Sequence, residues 1–514
     1  MGDIPTELTG PDFTKGIPID QIADDAMLQG HAFGSHVLLV NHASRFIAMG
    51  AHCTHYGVAL AGGAVEKGQL RCPLHHACFS LETGAALRAP AFDALARWAT
   101  EVREGVVYVR APIDASLPRV EPSARGEKPG MVIIGGGAAG NAAAEMLRTD
   151  GYDGPITLVS ADENLPADRP NFSKGTIAGT IPREFNFLRG AEYYADRRIA
   201  LRLGTRVDRI DTDAREVLLA GGARLAYEKL LLATGADPIR LDTPGAGLPH
   251  VHTVRALADS ESIASLAANA KSAVVIGASF IGMEAAAALR SRGLDVHVVA
   301  PDDIPMARVL GDDIGTFMRQ LHEYHGVTFH LGTTVATIDV GHVTLSTGAT
   351  LAADVVVMGV GVRPAIALAQ SAGLAIDNGV MVNAYLETSV EHIYAAGDIA
   401  RWPDPHTGTR MRVEHWVVAE RQGQTAARNM LGRQEVFDAV PFFWTEQYDL
   451  TLLYVGHADR GFTTRVSGTL DIAHADFSVE YRMSETLVAV ATVNRDRESL
   501  NAELTLEQMH AQLT

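Results

Sequence analysis

The chain has 514 residues, 47% of them hydrophobic and 20% charged, which is typical of a globular protein with about three to four domains. Its 43 basic and 61 acidic side chains leave a net charge of −18, which argues against nucleic acid and anionic membranes as partners. Since the sequence has no apolar run of membrane-spanning length, no secretory signal and only three cysteines, we expect a cytoplasmic protein without membrane insertion or a disulfide scaffold.

Residues 15–110 consist of short apolar runs, such as HVLLV and VVYVR, separated by Gly, Asn and Asp. This pattern indicates a small all-β domain. The next segment is rich in Pro, Ala and charged residues and has no apolar periodicity, which is typical of a linker. We therefore predict an all-β domain at 1–112 and a linker at 113–129.

From residue 130 the pattern changes to an apolar strand, a glycine turn, an alanine-rich helix and a second strand, and it repeats near residue 272. Two such units predict two α/β doubly wound nucleotide-binding domains, one inserted in the other. From about residue 436, apolar runs followed by a helical stretch indicate a smaller α+β domain. The predicted ranges are 130–252 and 371–434 for the first nucleotide-binding domain, 253–370 for the second and 435–514 for the C-terminal domain.

All three cysteines lie in one glycine-rich stretch, where Cys53-Thr-His55 and Cys72-Pro-Leu-His75 are separated by sixteen residues. Each loop supplies one Cys and one His. Four such ligands could hold a structural zinc ion, or a [2Fe–2S] cluster with two Cys on one iron and two His on the other. Zinc fingers usually pair Cys with Cys and His with His. The alternation therefore favours the cluster, with zinc as the alternative.

Residues 15–110 resemble Rieske domains, and this resemblance places the four cluster ligands on Cys53, His55, Cys72 and His75. Respiratory Rieske proteins carry a loop disulfide and two hydroxyl side chains near the cluster. The corresponding positions here are Val58, Leu74, Ala77 and Phe79. Because fewer hydrogen bonds then reach the sulfurs, we expect a reduction potential near the low end of the Rieske range.

Two further residues of this stretch have no obvious role in the sequence. His76 stands where Rieske domains usually have glycine, and Cys78 lies outside the ligand set. We expect Cys78 to be a small buried side chain.

Two glycine-rich turns each follow a predicted strand and open a predicted helix. Such turns let the backbone approach a pyrophosphate, which then lies at the helix N-terminus. The cofactor-binding residues that they predict are Gly135, Gly137, Ala138 and Gly140 in the first turn, and Gly277, Ser279, Ile281 and Gly282 in the second.

The strand after the second turn ends at Ala300 and is followed by Asp302 and Asp303. A carboxylate here binds a ribose hydroxyl, whereas NADPH needs an arginine for its 2′-phosphate. The first arginine in this region is Arg308. We therefore expect NADH as the cofactor, with NADPH as the alternative.

The chain from 130 to about 460 resembles the pyridine-nucleotide flavoprotein reductases of the ferredoxin-reductase and apoptosis-inducing-factor branch. It carries LPADRPNFSKG, LLLATGADP, VVVMGVGVRP, YAAGDIA and VEHWVVAERQG in that order. The resemblance implies FAD in the first doubly wound domain and NADH in the second, with Lys174, Glu284 and Trp416 as catalytic residues at the flavin. These three also belong to the implied cofactor-binding set, whose other members are Arg169, Thr234, Gly235, Gly361, Gly397, Asp398, Glu414 and His415.

No cysteine follows residue 78, which excludes the dithiol chemistry of disulfide reductases with this fold. Because NADH donates hydride and a Rieske cluster accepts one electron, we expect electrons to pass from NADH through FAD to the cluster. The final acceptor would be a ferredoxin, an oxygenase or a cytochrome. A redox-sensing flavoprotein with slow turnover and a direct reductase of a quinone or oxygen are the alternatives, and a homodimer is compatible with all three.

Overall fold

The computed structural model describes residues 7–113 and 129–511, which form two compact units. The first unit contains 7–113 together with 496–505, and the second contains 129–495 together with 506–511. The linker predicted at 113–129 lies, apart from its end residues, outside the described residues. The first unit is therefore built from two stretches that are far apart in the sequence.

Residues 7–113 form antiparallel sheets, which confirms the all-β prediction. The strands are β1 (Ile17–Pro18), β2 (Met27–Ala32), β3 (Ser35–His42), β4 (Arg45–Gly50), β5 (Ala64–Glu66), β6 (Gln69–Arg71), β7 (Cys78–Ser80), β8 (Ala86–Arg88), β9 (Arg97–Arg103) and β10 (Val106–Ile113). One sheet has the order β1-β10-β9-β4-β3-β2, and the other has β5 to β8 in chain order.

The apolar run of β3 explains how this unit builds a core. β3 pairs with β2 on one side and β4 on the other, and its four central residues are fully buried. Because successive side chains of a strand point to opposite faces, Leu38 and Val40 pack in one cluster and Val37 and Leu39 in another. The cluster of Leu38 and Val40 also contains Cys53 and Cys72.

The second unit begins with a mixed sheet and helices. Its first elements are β11 (Gly130–Ile134), β12 (Ile156–Val159), β13 (Ile199–Arg202), β14 (Val207–Asp211), β15 (Glu216–Leu219), β16 (Arg224–Leu232), β17 (Ala236–Pro238), α1 (Ala138–Thr149), α2 (Gly175–Ala178) and α3 (Ala191–Asp196). β13, β12, β11 and β16 are parallel neighbours in that order, and β15 and β14 extend the sheet with antiparallel pairing.

A second parallel sheet follows. Its region contains β18 (Val251–Thr253), β19 (Ser272–Ile276), β20 (Asp295–Ala300), β21 (Thr328–Leu331), β22 (Val335–Asp339), β23 (Gly341–Leu345), β24 (Thr350–Ala353), β25 (Val355–Met358), β26 (Val362–Pro364), α4 (Leu257–Ala267), α5 (Phe280–Ser291) and α6 (Ala307–Tyr324). The parallel order is β18-β25-β19-β20-β21, and β22 to β24 form an antiparallel sheet. Both parallel sheets have the predicted strand–turn–helix pattern.

The chain then returns to the first sheet of this unit. The next elements are α7 (Ala367–Ser371), β27 (Val380–Met381), β28 (Ile393–Ala395), β29 (Ala400–Pro403), β30 (Arg410–Met411) and α8 (Trp416–Met430). β28 pairs in parallel with β16, although the whole second parallel sheet lies between them in the sequence.

An antiparallel sheet and a helix complete the described chain, which confirms the predicted C-terminal α+β fold. The elements are β31 (Phe442–Gln447), β32 (Leu450–Gly456), β33 (Thr463–Thr469), β34 (Asp476–Met483), β35 (Thr486–Val493) and α9 (Asp496–Ala511). Short 3₁₀ helices occur at Phe13–Lys15, Ile19–Gln21, Leu60–Gly62, Arg169–Asn171, Arg183–Asn186 and Ile472–His474. Within residues 7–113 and 129–511, no helix has the length and apolarity that a membrane crossing requires.

Candidate functional site

The predicted cluster ligands lie on two tight loops of the first unit, one after β4 and one between β6 and β7. In the first loop the amide of Cys53 donates to Val58 O at 2.8 Å, and that of Gly57 donates to Cys53 O at 2.9 Å. In the second loop the amide of Cys72 donates to Ala77 O at 2.9 Å. Backbone hydrogen bonds therefore close both loops behind the cysteines.

The structure brings the four predicted ligands together in two pairs. Nδ1 of His55 and Nδ1 of His75 are 3.1 Å apart. The Cys53 and Cys72 thiols are hydrogen bonded to each other, which raises the pKa of Cys53 and lowers that of Cys72. None of the three cysteines, all of which are described, forms a disulfide.

This pairing fits a dinuclear cluster better than zinc. A zinc site would need all four ligands around one ion. A Rieske cluster instead takes two thiolates on one iron and two imidazoles on the other.

An aromatic side chain that the sequence did not single out covers the histidine pair. The Tyr56 ring stacks on His55 with the ring centroids 3.9 Å apart, and it meets His75 edge-on at 5.4 Å. Its position directly after a predicted ligand was the signal that could have identified it.

In the second unit, the first glycine turn joins β11 to α1, and its glycines pack too closely against the backbone for side chains to fit. A Cβ on Gly135, whose φ is +116°, would overlap the carbonyl oxygen of Ala233. A Cβ on Gly140 would overlap the carbonyl oxygen of Gly135. The helix N-cap Gly137 supplies no side-chain hydrogen bond, so the first amides of α1, beginning with Ala138, are available to an anion.

Two arginines converge beside this turn. The charge of Arg255 and then burial lower the pKa of Arg169 to about 9. A Cβ on Gly137 would lie 3.1 Å from Arg169 Nη1, and one on Gly235 would lie 2.5 Å from Arg255 Nη2. The two arginines bring positive charges together beside a turn whose close packing only glycine permits. This arrangement fits the binding of a dinucleotide pyrophosphate. The sequence predicted Arg169, whereas Arg255 lacks a motif and was missed.

Other residues predicted for the same cofactor border this region. Asp398 lies 3.7 Å from Arg255 Nη1. The Thr234 hydroxyl donates to Ala365 O at 3.1 Å. The amide of Gly397 donates to Gln422 Oε1 at 2.8 Å. Gly361 accepts from the Ile239 amide at 2.9 Å, where β17 and β26 pair.

The last predicted motif lies at the N-terminus of α8. Glu414 is exposed and pairs with Arg412 at 2.8 Å, whereas the His415 ring packs on Phe443 with centroids 4.7 Å apart. Trp416, the first residue of α8, is half-buried and donates to Glu420. Burial and then the nearby Asp168 carboxyl raise the pKa of Glu420. Glu420 also has a buried oxygen without a partner, and it was missed because one glutamate in a helix carries no signal.

The predicted catalytic pair forms between Lys174, the residue before α2, and Glu284 of α5. Lys174 Nζ lies 3.1 Å from Glu284 Oε2, and their side chains are only 15% and 4% exposed. Ser173 donates to the same oxygen at 2.5 Å. Thr445 of β31 donates to Glu284 Oε1 at 2.7 Å. The carboxylate is thus satisfied on both oxygens.

A chain of hydrogen bonds extends this pair to α6. Gln447 Nε2 donates to Thr445 Oγ1 at 3.1 Å, and His322 Nε2 donates to Gln447 Oε1 at 2.6 Å. Tyr448 lies 3.4 Å from the other ring nitrogen of His322. Thr445, Gln447 and His322 were missed because they lie outside every motif.

The second glycine turn joins β19 to α5 in the same way as the first. A Cβ on Gly277 would overlap the carbonyl oxygen of Gly359, and one on Gly282 would overlap the carbonyl oxygen of Gly277. Ser279 is the N-cap of α5 and makes no side-chain cap, and Ile281 is 41% exposed in the first turn. The turn therefore leaves a dinucleotide cradle at the helix N-terminus.

The residues expected to choose between NADH and NADPH lie beyond β20. The Arg308 guanidinium contacts Asp302 Oδ1 through Nη2 at 2.6 Å and through Nε at 3.0 Å. Asp302, the carboxylate expected near the ribose, is therefore already paired with the positively charged Arg308.

Family models match three parts of the chain. Residues 14–99 match the Rieske [2Fe-2S] domain, residues 129–423 match pyridine nucleotide-disulphide oxidoreductase, and residues 442–512 match the reductase C-terminal domain. The first implies a [2Fe–2S] cluster and the second implies FAD and NAD(P)H.

Curated proteins and a solved structure are similar along most of the chain. Apoptosis-inducing factor 3 of Homo sapiens is 33% identical over 478 residues, which are 90% of this chain and 78% of that protein. Rhodocoxin reductase of Rhodococcus erythropolis is 41% identical over 377 residues, 72% of this chain and 88% of that protein. The putidaredoxin reductase–putidaredoxin complex matches with a TM-score of 0.71 and 32% identity over 74% of this chain and 93% of that one. Since these matches agree with the paired cluster ligands and both glycine cradles, the chain belongs to the pyridine nucleotide-disulphide oxidoreductase family, as an NAD(P)H-dependent flavoprotein oxidoreductase with a Rieske domain ahead of its reductase domains.

Proposed function

We propose that the protein takes electrons from NADH and delivers them, by way of FAD and its own Rieske cluster, to a one-electron acceptor protein in the cytoplasm. One observation carries the proposal. The same chain holds paired Cys and His side chains on two loops and a dinucleotide site whose surrounding unit contains no cysteine. The cluster ligands are therefore the groups best suited to one-electron transfer.

When bound, FAD can accept a two-electron hydride and release single electrons, and a [2Fe–2S] cluster carries one electron at a time. The protein supplies binding and orientation. Arg169 and Arg255 would neutralise the pyrophosphate, and the first turn of α1 would offer amide donors to it. Asp398 would bind the ribityl chain of FAD.

The Lys174–Glu284 pair is the proposed catalytic centre of the reductase part. The buried carboxylate of Glu284 holds the Lys174 ammonium in position, and with FAD bound this ammonium would offer a positive charge to the flavin. Trp416 presents an aromatic plane at the N-terminus of α8 and would exclude water from the ring.

The acceptor is proposed from the relatives. The solved complex pairs a reductase with putidaredoxin, and another relative, 38% identical over 372 residues, is the ferredoxin–NAD(+) reductase component of an anthranilate 1,2-dioxygenase system. We therefore place a ferredoxin, an oxygenase or a cytochrome after the Rieske cluster.

The test compares two acceptors in the full-length protein with NADH as donor. A [2Fe–2S] ferredoxin should receive electrons from the cluster, whereas ferricyanide can also take them directly from the flavin. We expect His55→Ala to keep ferricyanide reduction within about twofold and to lose at least about 90% of ferredoxin reduction, since about 1.4 kcal/mol suffices for a tenfold change. His42→Ala, at an exposed ion pair with Asp25, is the control.

Ferredoxin reduction by His55→Ala at the wild-type rate would show that the cluster is off the electron path. Loss of both activities would contradict the separation of the two sites on which the proposal depends.

A further inference from the structure

His76 directly follows the predicted ligand His75 and occupies a position where Rieske domains usually have glycine. Its φ is +58°, which lies in the left-handed region of backbone conformations that residues other than glycine rarely adopt. Its ring is nevertheless fully buried. A strained backbone and a buried imidazole persist only where the surroundings hold them firmly.

The surroundings of His76 come from the other end of the chain. Nδ1 of His76 lies 2.8 Å from Glu503 Oε2, and both side chains are 0% exposed. The Ser499 hydroxyl lies 3.4 Å from Nε2 of the same ring. Residues 496–505 belong to the same compact unit as the cluster loops, so these contacts are internal to it.

Glu503 also reaches the start of the second ligand loop. Arg71 Nη1, at the end of β6 and next to Cys72, lies 3.8 Å from Glu503 Oε2. Arg71 is 5% exposed. One buried carboxylate therefore contacts residues on both sides of the loop that carries Cys72 and His75. A buried charge so placed needs these partners, because it is poorly solvated without them.

A second contact from the same segment reaches the neighbouring turn. Arg497 Nη1 lies 3.4 Å from the carbonyl oxygen of Gly62. The segment 496–505 thus contacts two places in the part of the unit that contains the cluster loops.

We infer that residues 496–505 are a structural part of the cluster site, and that Glu503, through His76 and Arg71, positions the loop bearing Cys72 and His75. His76 and Glu503 are positioning residues and touch the cluster only through the ligands. The inference rests on the proposed function insofar as that function requires a Rieske cluster. It assigns a role to His76 that the sequence left open.

The test uses full-length variants purified with cofactors. Glu503→Gln removes the charge with little change of shape, and His76→Gly removes the ring at a φ that glycine accepts. We expect both to lose the visible absorption of the cluster at least about fivefold faster under an iron chelator. The electron paramagnetic resonance spectrum of the remaining reduced cluster should also change. FAD content and flavin reduction by NADH should stay within about twofold of wild type.

His76→Asn is the conservative variant, because asparagine tolerates this backbone region and its amide can donate to Glu503. It should restore much of the chelator resistance and the wild-type spectrum. Glu498→Gln, an exposed position on the same helix, is the matched control and should behave as wild type.

The outcomes separate the two proposals. A wild-type protein without iron and sulfide would refute the proposed function. A loaded wild type whose Glu503→Gln and His76→Gly variants keep both its chelator resistance and its spectrum would overturn this inference alone. Loss of FAD together with the cluster would also overturn it, because the contacts lie within the Rieske unit.

Discussion

Glu284 shows how much protein structure is organised around a single carboxylate. Ser173 and Lys174, the two residues before α2, approach one oxygen, and Thr445 approaches the other from β31. A carboxylate with several donors is held in one orientation, and the ammonium of Lys174 is held with it. The position of the Glu284 carboxylate thus depends on Thr445, a residue of the C-terminal sheet.

Thr445→Val removes the donor to Glu284 Oε1 while keeping the shape of the side chain. A hydrogen bond to a charged group contributes about 1.5–3 kcal/mol. We expect flavin reduction by NADH to slow about tenfold, or about 1.4 kcal/mol, with FAD still bound. Stopped-flow absorbance measures the rate. Glu446→Gln, the exposed neighbour on β31, is the control, and an unchanged rate in Thr445→Val would contradict the expected coupling.

We propose that the preference between NADH and NADPH depends on Asp302 and Arg308. We expect the wild type to favour NADH over NADPH about tenfold in kcat/KM, since a carboxylate repels a 2′-phosphate. Asp302→Ala frees the guanidinium of Arg308 and should shift this ratio at least about tenfold towards NADPH. Arg308→Ala should shift it towards NADH.

Arg319→Ala is the control for the nucleotide measurement, because Arg319 forms an exposed ion pair with Glu323 on the same helix. Steady-state rates with each nucleotide give the ratios. If Asp302→Ala and Arg308→Ala moved the ratio in the same direction, the assignment of these two residues would be wrong.

At the level of elements, α6 is joined to β31 by a buried imidazole. Burial lowers the pKa of His322 to about 4, although its hydrogen bond with Gln447 acts in the opposite direction. The folded protein therefore binds a proton at this ring less readily than the unfolded chain, in which histidine titrates near 6.5. Protonation consequently favours unfolding of this region.

The sign of the pH effect follows from linkage. As pH falls from about 6.5 to about 4, the unfolded state takes up a proton that the folded state does not, so stability falls. At pH 4.5 the loss should be about 2–3 kcal/mol relative to pH 7.5. Native-state hydrogen exchange of the α6 amides, corrected for intrinsic rates, measures it.

His322→Gln should remove that part of the pH dependence. The difference in opening free energy between wild type and variant at pH 7.5 is the reference value for the comparison at lower pH. At pH 7.5 the imidazole is neutral in both the folded and the unfolded protein. An equal pH dependence in wild type and His322→Gln would show that this imidazole is not the responsible group.

Elements with local signals were predicted from the sequence, and contacts between distant elements were not. The strand–glycine–helix patterns near 130 and 272 identified β11 with α1 and β19 with α5, because a dinucleotide cradle needs glycine at fixed spacings. Thr445 is 161 residues from Glu284, and no periodicity or spacing connects them. Arg255 and Glu503 are likewise single charged residues whose role appears only when the chain is folded.

At the level of the whole molecule, the two compact units divide the cofactor sites between them. The paired Cys and His side chains predicted as cluster ligands belong to one unit, and both glycine cradles belong to the other. Each unit has its own buried apolar clusters. Loss of one cofactor should therefore leave the binding site of the other intact.

Cys72→Ala tests this independence. We expect it to lose the cluster, which contains about two irons and two labile sulfides, and to retain FAD and reduction by NADH. Cys78→Ala is the matched control, because Cys78 is equally buried but lies outside the predicted ligand set. Iron, sulfide and flavin analyses give the result. Full iron content in Cys72→Ala, or loss of flavin with the iron, would contradict the division.

The contribution of α9 to the Rieske unit also fixes when that unit can be completed during synthesis. Ser499 follows His76 by 423 residues, so at about 5–20 residues per second the ribosome needs roughly 20–85 s to supply it. Until then the nascent chain contains the two cysteine loops but not Ser499 and Glu503, which contact His76 in the folded protein. If Glu503 holds this loop as we infer, cluster insertion follows the synthesis of residue 503, so that the cluster loops are completed only after the reductase part of the chain has been made.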